Sequence, residues 1–328
     1  MTERDPPVFP SKSPERLARR DRGLTHILDR MQAPVEKEWL TLAAPYMDIV
    51  KFGWGLPLLF ARETVRRRIT EYHHQNLEVS TGGTLLEYAV REGRAEKMVK
   101  EAKELGFDFV EVSEGILDLS LDQVEELAGL VRAQDLDVLI EVGKKDVQRQ
   151  YSLRETMERL QHARKLAPRK VILESRESGR GVGIYDLEGG IKWDWVHAII
   201  SSQPANDIIF EAPREEQQIA LIMELGSEVN LGNVALDSVL PLASQRLGLR
   251  GDTFGLPVRR STPKGSPAAK FVYYLIESHR GLEQGELVAL SRLPRRTVQM
   301  AVRELERQEL ITEAISLRDA RRREYRCV

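Results

Sequence analysis

One cysteine, Cys327, stands next to the C-terminus, so no internal disulfide can staple the fold. Such scarcity fits a reducing compartment. No run of about 18 apolar residues occurs, which leaves no candidate transmembrane helix. The opening residues, MTERDPPVFPSKSPERLARRDR, hold no apolar signal core. Net charge is nearly absent as well: 49 Lys and Arg face 51 Asp and Glu, leaving −2. General attraction to nucleic acid or membrane is thereby excluded, and any basic surface must be local. What remains is the expectation of a soluble, cytoplasmic protein. At 328 residues and 41% hydrophobic, the chain can bury one large core and carry a small second domain.

What is present is a rhythm of apolar strands that each carry a glutamate. Val138–Asp146 reads VLIEVGKKD, a buried parallel strand with Glu141 near its end and two lysines soon after. The cadence recurs at NLEVS (Glu78), FVEVS (Glu111), VILES (Glu174) and IIFEA (Glu211). An acid in such a strand is costly unless paired or bound to a metal. Strands are expected at Asp48–Phe52, Leu77–Ser80, Phe107–Val112, Asp137–Val142, Lys170–Ser175, Asp207–Glu211, Glu228–Leu231 and Leu247–Gly251. Stretches with apolar residues at helical spacing alternate with them, among them Thr84–Leu105 and Leu121–Gln134.

Eight strands with interposed helices point to an α/β fold of the (β/α)8 TIM-barrel type. A doubly wound sheet is second choice, because its glycine-rich first turn is missing. Side chains alternate along a strand, so Glu141 and Lys145 share one side while Lys144 points away. In a barrel, the shared side faces the interior at the mouth, where catalytic groups gather.

Residues 1–31, rich in Pro, Ser and Arg, read as a mobile arm, and 32–255 as the barrel. A Pro- and Gly-containing linker spans 256–267. Residues 268–328 follow the order of a winged helix-turn-helix. That piece is mildly basic, with 12 Lys and Arg against 9 Asp and Glu. Arg295 and Arg296 open its expected recognition helix, and Arg321 and Arg322 tip its wing, positions suited to duplex DNA. Glu304, Glu306 and Glu309 crowd the same helix, and assembly is the alternative role.

Eight segments together resemble the phosphosulfolactate synthase family: KFGWG (Lys51–Gly55), GGTLLEYA (Gly82–Ala89), GFDFVEVSEG (Gly106–Gly115), EVGKKD (Glu141–Asp146), ESRESG (Glu174–Gly179), FEAP (Phe210–Pro213), VNLGNV (Val229–Val234) and LRGDTFG (Leu249–Gly255). They stand in the family's order. The resemblance implies a barrel that adds sulfite to C3 of phosphoenolpyruvate with Mg²⁺, on a route to coenzyme M, and suggests a homo-oligomer. The loop SEGIL departs from the more polar loop expected after the third strand, which bears on Ser113 and Glu114.

That reaction joins two anions, so the site needs positive charge. Mg²⁺ takes one or two protein carboxylates and keeps waters. Glu111, Glu141 and Glu174 are the expected metal residues, with Glu211 on the substrate side. The alternative is an ion-pair network with Lys51, Arg176 or Arg250. Lys145 is the expected proton donor to C2, its pKa lowered by burial or nearby cations. Gly82 and Gly83, before a helix, suit phosphate. Arg176 and Arg250 add guanidinium donors, Lys51 suits sulfite or carboxylate, and Asn230 with Asn233 can orient substrate or satisfy a loop. His73, His74 and Trp54 show no metal spacing. Rival functions are a ligand-sensing barrel of a transcription regulator, and a related barrel enzyme using another nucleophile or phospho-substrate.

Overall fold

The computed structural model describes residues 20–31, 36–254, 263, 265–279, 282–308, 310–315 and 323–327. Eight parallel strands close into a barrel in chain order: β1 (Thr25–Asp29), β2 (Ile49–Phe52), β3 (Glu78–Ser80), β4 (Phe109–Ser113), β5 (Asp137–Val142), β6 (Lys170–Leu173), β7 (Ile208–Glu211) and β8 (Leu231–Ala235). The fold is a (β/α)8 barrel. Helices alternate with the strands: α1 (Lys37–Ala43), α2 (Arg62–His73), α3 (Gly83–Arg91), α4 (Ala95–Leu105), α5 (Leu121–Arg132), α6 (Leu153–Lys165), α7 (Trp193–Ser202), α8 (Glu215–Leu225) and α9 (Val239–Arg246). Capping boxes at Ser120/Gln123 and Ser152/Glu155 start α5 and α6. Val124, Ala128 and Val131 then turn one face of α5 into the core.

Three strand assignments need correction, one of them the expected Glu228–Leu231, which lies at Leu231–Ala235. The first strand is Thr25–Asp29, inside the stretch read as a mobile arm, and it pairs with both β2 and β8. Leu247–Gly251 is not a strand; a one-turn 3-10 helix follows at Gly251–Thr253. The expected single helix Thr84–Leu105 is two, separated by a turn in which Gly93 takes φ 65°. A residue with a Cβ adopts that backbone at a cost, so the glycine marks the break.

The strand period sorts the barrel interior into layers. Ile49, Phe109, Leu139, Ile172 and Ile209 form one buried apolar layer. Two residues further along those strands stand Lys51, Glu111, Glu141, Glu174 and Glu211. Pleat geometry thus stacks a charged layer directly above an apolar one. Next to that apolar plug, water is excluded and charges must be matched by other charges.

The chain divides into two compact units, Met1–Ala243 and Ser244–Val328. In the second, α10 (Pro267–Ser278), β9 (Leu282–Glu283), α11 (Gln284–Ser291), α12 (Arg295–Arg307), β10 (Ile311–Ile315) and β11 (Arg323–Cys327) follow in order. The strands form an antiparallel sheet ordered β10-β11-β9. The helices close their own core around Ala269, Val272, Ile276, Leu287, Val298 and Leu305. Most of the expected linker 256–267 lies outside the described residues. Among the described residues, no helix is long and apolar enough to cross a membrane.

Candidate active site

The charged layer ends at a pocket in the barrel mouth, lined in part by Lys51, Glu141, Lys145, Glu174 and Glu211. Lys51 Nζ donates to Glu211 Oε1 at 2.7 Å and lies 3.6 Å from Glu111 and 3.7 Å from Glu141. Lys145 Nζ donates to Glu141 Oε1 at 2.5 Å and to Glu174 Oε2. Both ammonium groups are thus bridges between carboxylates of neighbouring strands. Glu211 also accepts from Ser175 N at 2.9 Å. Glu174 accepts from Arg176 N at 2.6 Å.

Burial and charge act against each other here. Burial penalises the charge on Glu141, but Lys145 and Lys51 outweigh it and hold the carboxyl well below its ordinary range. Glu111 is lowered in the same way: burial opposes, while Lys51 and a contact with His26 prevail. Glu174 goes well above its ordinary range, pushed first by burial and then by the charge of Glu141. Burial works against the charge on Lys51, yet Glu111, Glu211 and Glu141 raise it. Lys145 is also raised, by Glu141 and Glu174 against burial. The lowered lysine pKa expected from sequence is therefore reversed, because carboxylates rather than cations surround Lys145. Lys145 is an ammonium donor at neutral pH.

The expected metal residues separate into two kinds. Glu141 and Glu174 line the pocket. Glu111 is committed below it, where its Oε1 accepts from Ser80 Oγ at 2.7 Å and lies 3.1 Å from His26 Nε2. Among the described residues, no three acids, histidines or cysteines converge as a metal site. The three-glutamate set is therefore not brought together, because ammonium groups occupy the space between the carboxylates. Glu78 is at the start of β3, not at its end, and is only half-buried.

Gly82 takes φ 71° and precedes α3. A Cβ there would lie 2.8 Å from Phe52 O, and one on Gly83 would lie 2.2 Å from Ser113 Cβ. Both glycines are thus required for the close approach of α3 to the strands. That approach also sets Gly82, Gly83 and Thr84 in the pocket wall at a helix N-terminus, where anions are favoured. Arg176 follows β6 with φ 60°, at the mouth. Arg250 falls in the second unit.

Asn230 is at the opposite end of the barrel. It precedes β8, donates to Asn206 O at 2.9 Å and Ile208 O at 3.0 Å, and accepts from Leu24 N at 3.0 Å. Its neighbour Asn233 lines the pocket instead. Lys144 points away from Lys145, donating to Glu114 O at 2.8 Å and Leu117 O at 2.7 Å. It holds the loop after β4. Glu114 turns from the pocket to Arg159, and burial pushes its carboxyl up to about 7 against Arg159 and Lys144. Arg295 and Arg296 are exposed at the start of α12. Arg321 and Arg322 lie outside the described residues.

Sequence reasoning missed two supports of this site, His26 and Glu87, and gave a third, Ser113, no defined role. His26 was hidden in the overlooked β1. Ser113 Oγ lies 2.8 Å from Glu141 Oε1 and 2.9 Å from Glu87 Oε1. Glu87, buried on α3, also accepts from Ile116 N at 2.6 Å and Leu117 N at 2.7 Å. A glutamate between Leu86 and Ala89 on an inward helix face was the available signal.

Residues 14–252 match the family model described as (2R)-phospho-3-sulfolactate synthase (ComA). The chain is 38% identical over 237 residues to the phosphosulfolactate synthase of Methanocaldococcus jannaschii, covering 71% of this chain and 94% of that one. It is 35% identical over 240 residues to that of Methanothermobacter thermautotrophicus, covering 72% and 93%. To the Bacillus subtilis protein of the same name it is 34% identical over 224 residues, covering 67% and 87%. The family match takes in all eight barrel strands.

Proposed function

The chain belongs to the phosphosulfolactate synthase family, and from that premise we propose that the barrel adds sulfite to C3 of phosphoenolpyruvate to give phosphosulfolactate. The observation that carries this reading is Lys145, held protonated by Glu141 and Glu174 inside a pocket that also presents helix-start amides. Sulfite bonds through sulfur to C3, the double-bond electrons move to C2, and Lys145 delivers a proton there. A carbanion at C2 is a far stronger base than an amine, so a lysine of raised pKa remains competent. Gly82, Gly83 and Thr84 hold the phosphate through backbone N–H groups, aided by Arg176. Lys51 stays paired with Glu211 beneath the substrate carboxylate.

Mg²⁺ fits this donor set by charge. Four carboxyl groups, Glu111, Glu141, Glu174 and Glu211, face two ammonium groups, and the shortage shows in the raised pKa of Glu174. Lys145 takes one oxygen of each of Glu141 and Glu174, and their second oxygens would hold the ion, consistent with the one or two carboxylates Mg²⁺ prefers. When bound, it supplies a Lewis acid for the carboxylate charge that develops on addition.

The test is direct: the purified chain is incubated with phosphoenolpyruvate, sulfite and Mg²⁺, and the product is weighed by mass spectrometry. The adduct mass, dependent on all three, supports the reading. Its absence, with sulfite and phosphoenolpyruvate recovered unchanged, overturns it.

For the second unit we read α10 to β11 as a winged helix-turn-helix that docks α12 on duplex DNA through Arg295 and Arg296. Support comes from the exposed arginine pair at the helix start. Gel-shift titration at several salt concentrations should show log K falling with log salt, with a shallower slope in Arg295→Ala/Arg296→Ala. Salt-independent binding, or none, rejects it.

A further inference from the structure

β8 does not run straight into the mouth. Its register with β1 shifts by one residue, from Thr25↔Leu231 to Ile27↔Val234, so β8 carries an extra residue between the two pairs. Asn233 lies in that interval with φ 53°, a left-handed backbone that asparagine tolerates better than most residues. Bulges of this kind re-aim a side chain and concentrate beside active sites. Here the result is an asparagine that lines the pocket, is 94% buried, and has an Oδ1 with no hydrogen-bond partner among the described residues. Buried amide groups are almost always satisfied, so an unmatched one in a pocket wall points to a ligand. The amide can present either its oxygen or its NH₂ by rotating half a turn.

A second unmatched group stands on the adjacent strand. His26, Leu28 and Arg30 share one parity along β1 and its extension. His26 faces Glu111 and Leu28 lines the pocket; Arg30 follows one residue past the end of β1. Its guanidinium is 5.3 Å from the centre of the Trp54 ring, and Trp54 also lines the pocket. Nε of Arg30 is buried and has no hydrogen-bond partner among the described residues. The lysines of the layer below are engaged by carboxylates, whereas this guanidinium has a buried nitrogen without a partner among the described residues.

We propose that Asn233 and Arg30 form the oxyanion subsite that holds sulfite. This rests on the reading of the barrel as a sulfite-adding enzyme. Three anionic groups must be accommodated, and the amides of Gly82–Thr84 serve the phosphate while the Lys51 side serves the carboxylate. The β8–β1 side supplies the third set of donors, an amide and a guanidinium suited to a small oxyanion.

Asn233→Gly removes the amide and keeps the backbone, since glycine accepts positive φ. Arg30→Met keeps the stem over Trp54 and removes the fork, and Arg30→Lys keeps only the charge. Each substrate is varied with the other saturating. Loss of a charged-group hydrogen bond should raise the KM for sulfite by about ten- to a hundredfold in Asn233→Gly and Arg30→Met, with a smaller rise in Arg30→Lys. The KM for phosphoenolpyruvate and kcat should stay near wild type. An unchanged sulfite KM, or an equal rise for phosphoenolpyruvate, overturns the assignment. If wild type makes no adduct, the functional reading fails by itself, and calorimetric titration with sodium sulfite decides the subsite. Heat of binding in wild type that both variants lose supports it; no binding, or equal binding in all, rejects it.

Discussion

Two asparagines of one short motif, three residues apart, meet opposite fates. Asn230, beneath the barrel, makes three hydrogen bonds that join the starts of β1, β7 and β8. Asn233, at the mouth, sits on a bulge with an unmatched buried oxygen. Lysines divide in the same way. Lys170, at the start of β6, donates to Asn206 O at 2.6 Å and to Asp21 O at 2.8 Å, matched by backbone carbonyls. Lys51 and Lys145 are instead wedged among carboxylates that burial makes costly. At the floor, Asn230 and Lys170 are satisfied by neighbouring backbone groups and hold the strands in register. The mouth keeps charge crowded and one amide open, and that unfinished matching is what a substrate can complete.

The contrast predicts opposite outcomes for chelation and for floor mutations. Removing metal with a chelator should abolish adduct formation, and added Mg²⁺ should restore it without any change in melting of the floor. Glu141→Gln should demand more Mg²⁺ for the same rate. Full turnover in metal-free buffer would break the account of the mouth. Asn230→Ala, by contrast, strips three partners at once and should cost on the order of 2–4 kcal/mol of stability in denaturant unfolding. Turnover per folded molecule should not change, and a loss of turnover at full stability would erase the distinction between the two ends.

A smaller effect sharpens the comparison at the rim. The Glu114 carboxyl is raised to about 7 from an ordinary 4.5, so the folded chain keeps a proton that the unfolded chain loses first. Its contribution is fully present below pH 4.5 and is lost as pH rises through about 7. Glu114→Gln should flatten the fall in stability across that window, by at most on the order of 3 kcal/mol. Identical slopes in wild type and variant would show that this carboxyl titrates normally.

Much of this was legible because a barrel strand writes its two faces as alternate letters. Four of the five glutamates, Glu111, Glu141, Glu174 and Glu211, stand two residues above an apolar layer, as the repeated strand pattern suggested. What stayed hidden depended on distant partners. THILD does not read as a buried strand, because His26 and Asp29 look too polar. His26 lies against Glu111, 85 residues away, and Asp29 accepts from Arg68 Nε at 2.9 Å and Tyr72 OH at 2.7 Å. With β1 overlooked, a false strand at Leu247–Gly251 completed the count of eight. The bulge in β8 was equally silent, since one extra residue changes no composition yet decides which asparagine reaches the pocket. The lysine pair was sorted correctly by parity, but the sign of the Lys145 shift was not, because it depends on how closely the carboxylates of Glu141 and then Glu174 approach the ammonium group.

The central claim is that Lys145, and not its neighbour, gives the proton at C2. The measurement is kcat for Lys145→Ala and Lys144→Ala, each corrected for the folded fraction. Lys145→Ala should lose about 10²–10⁴-fold in kcat, the scale of a positioned acid. Lys144→Ala should act mainly on stability, because that side chain ties down the loop at Glu114 and Leu117. Equal, small losses of kcat in both variants would contradict the account.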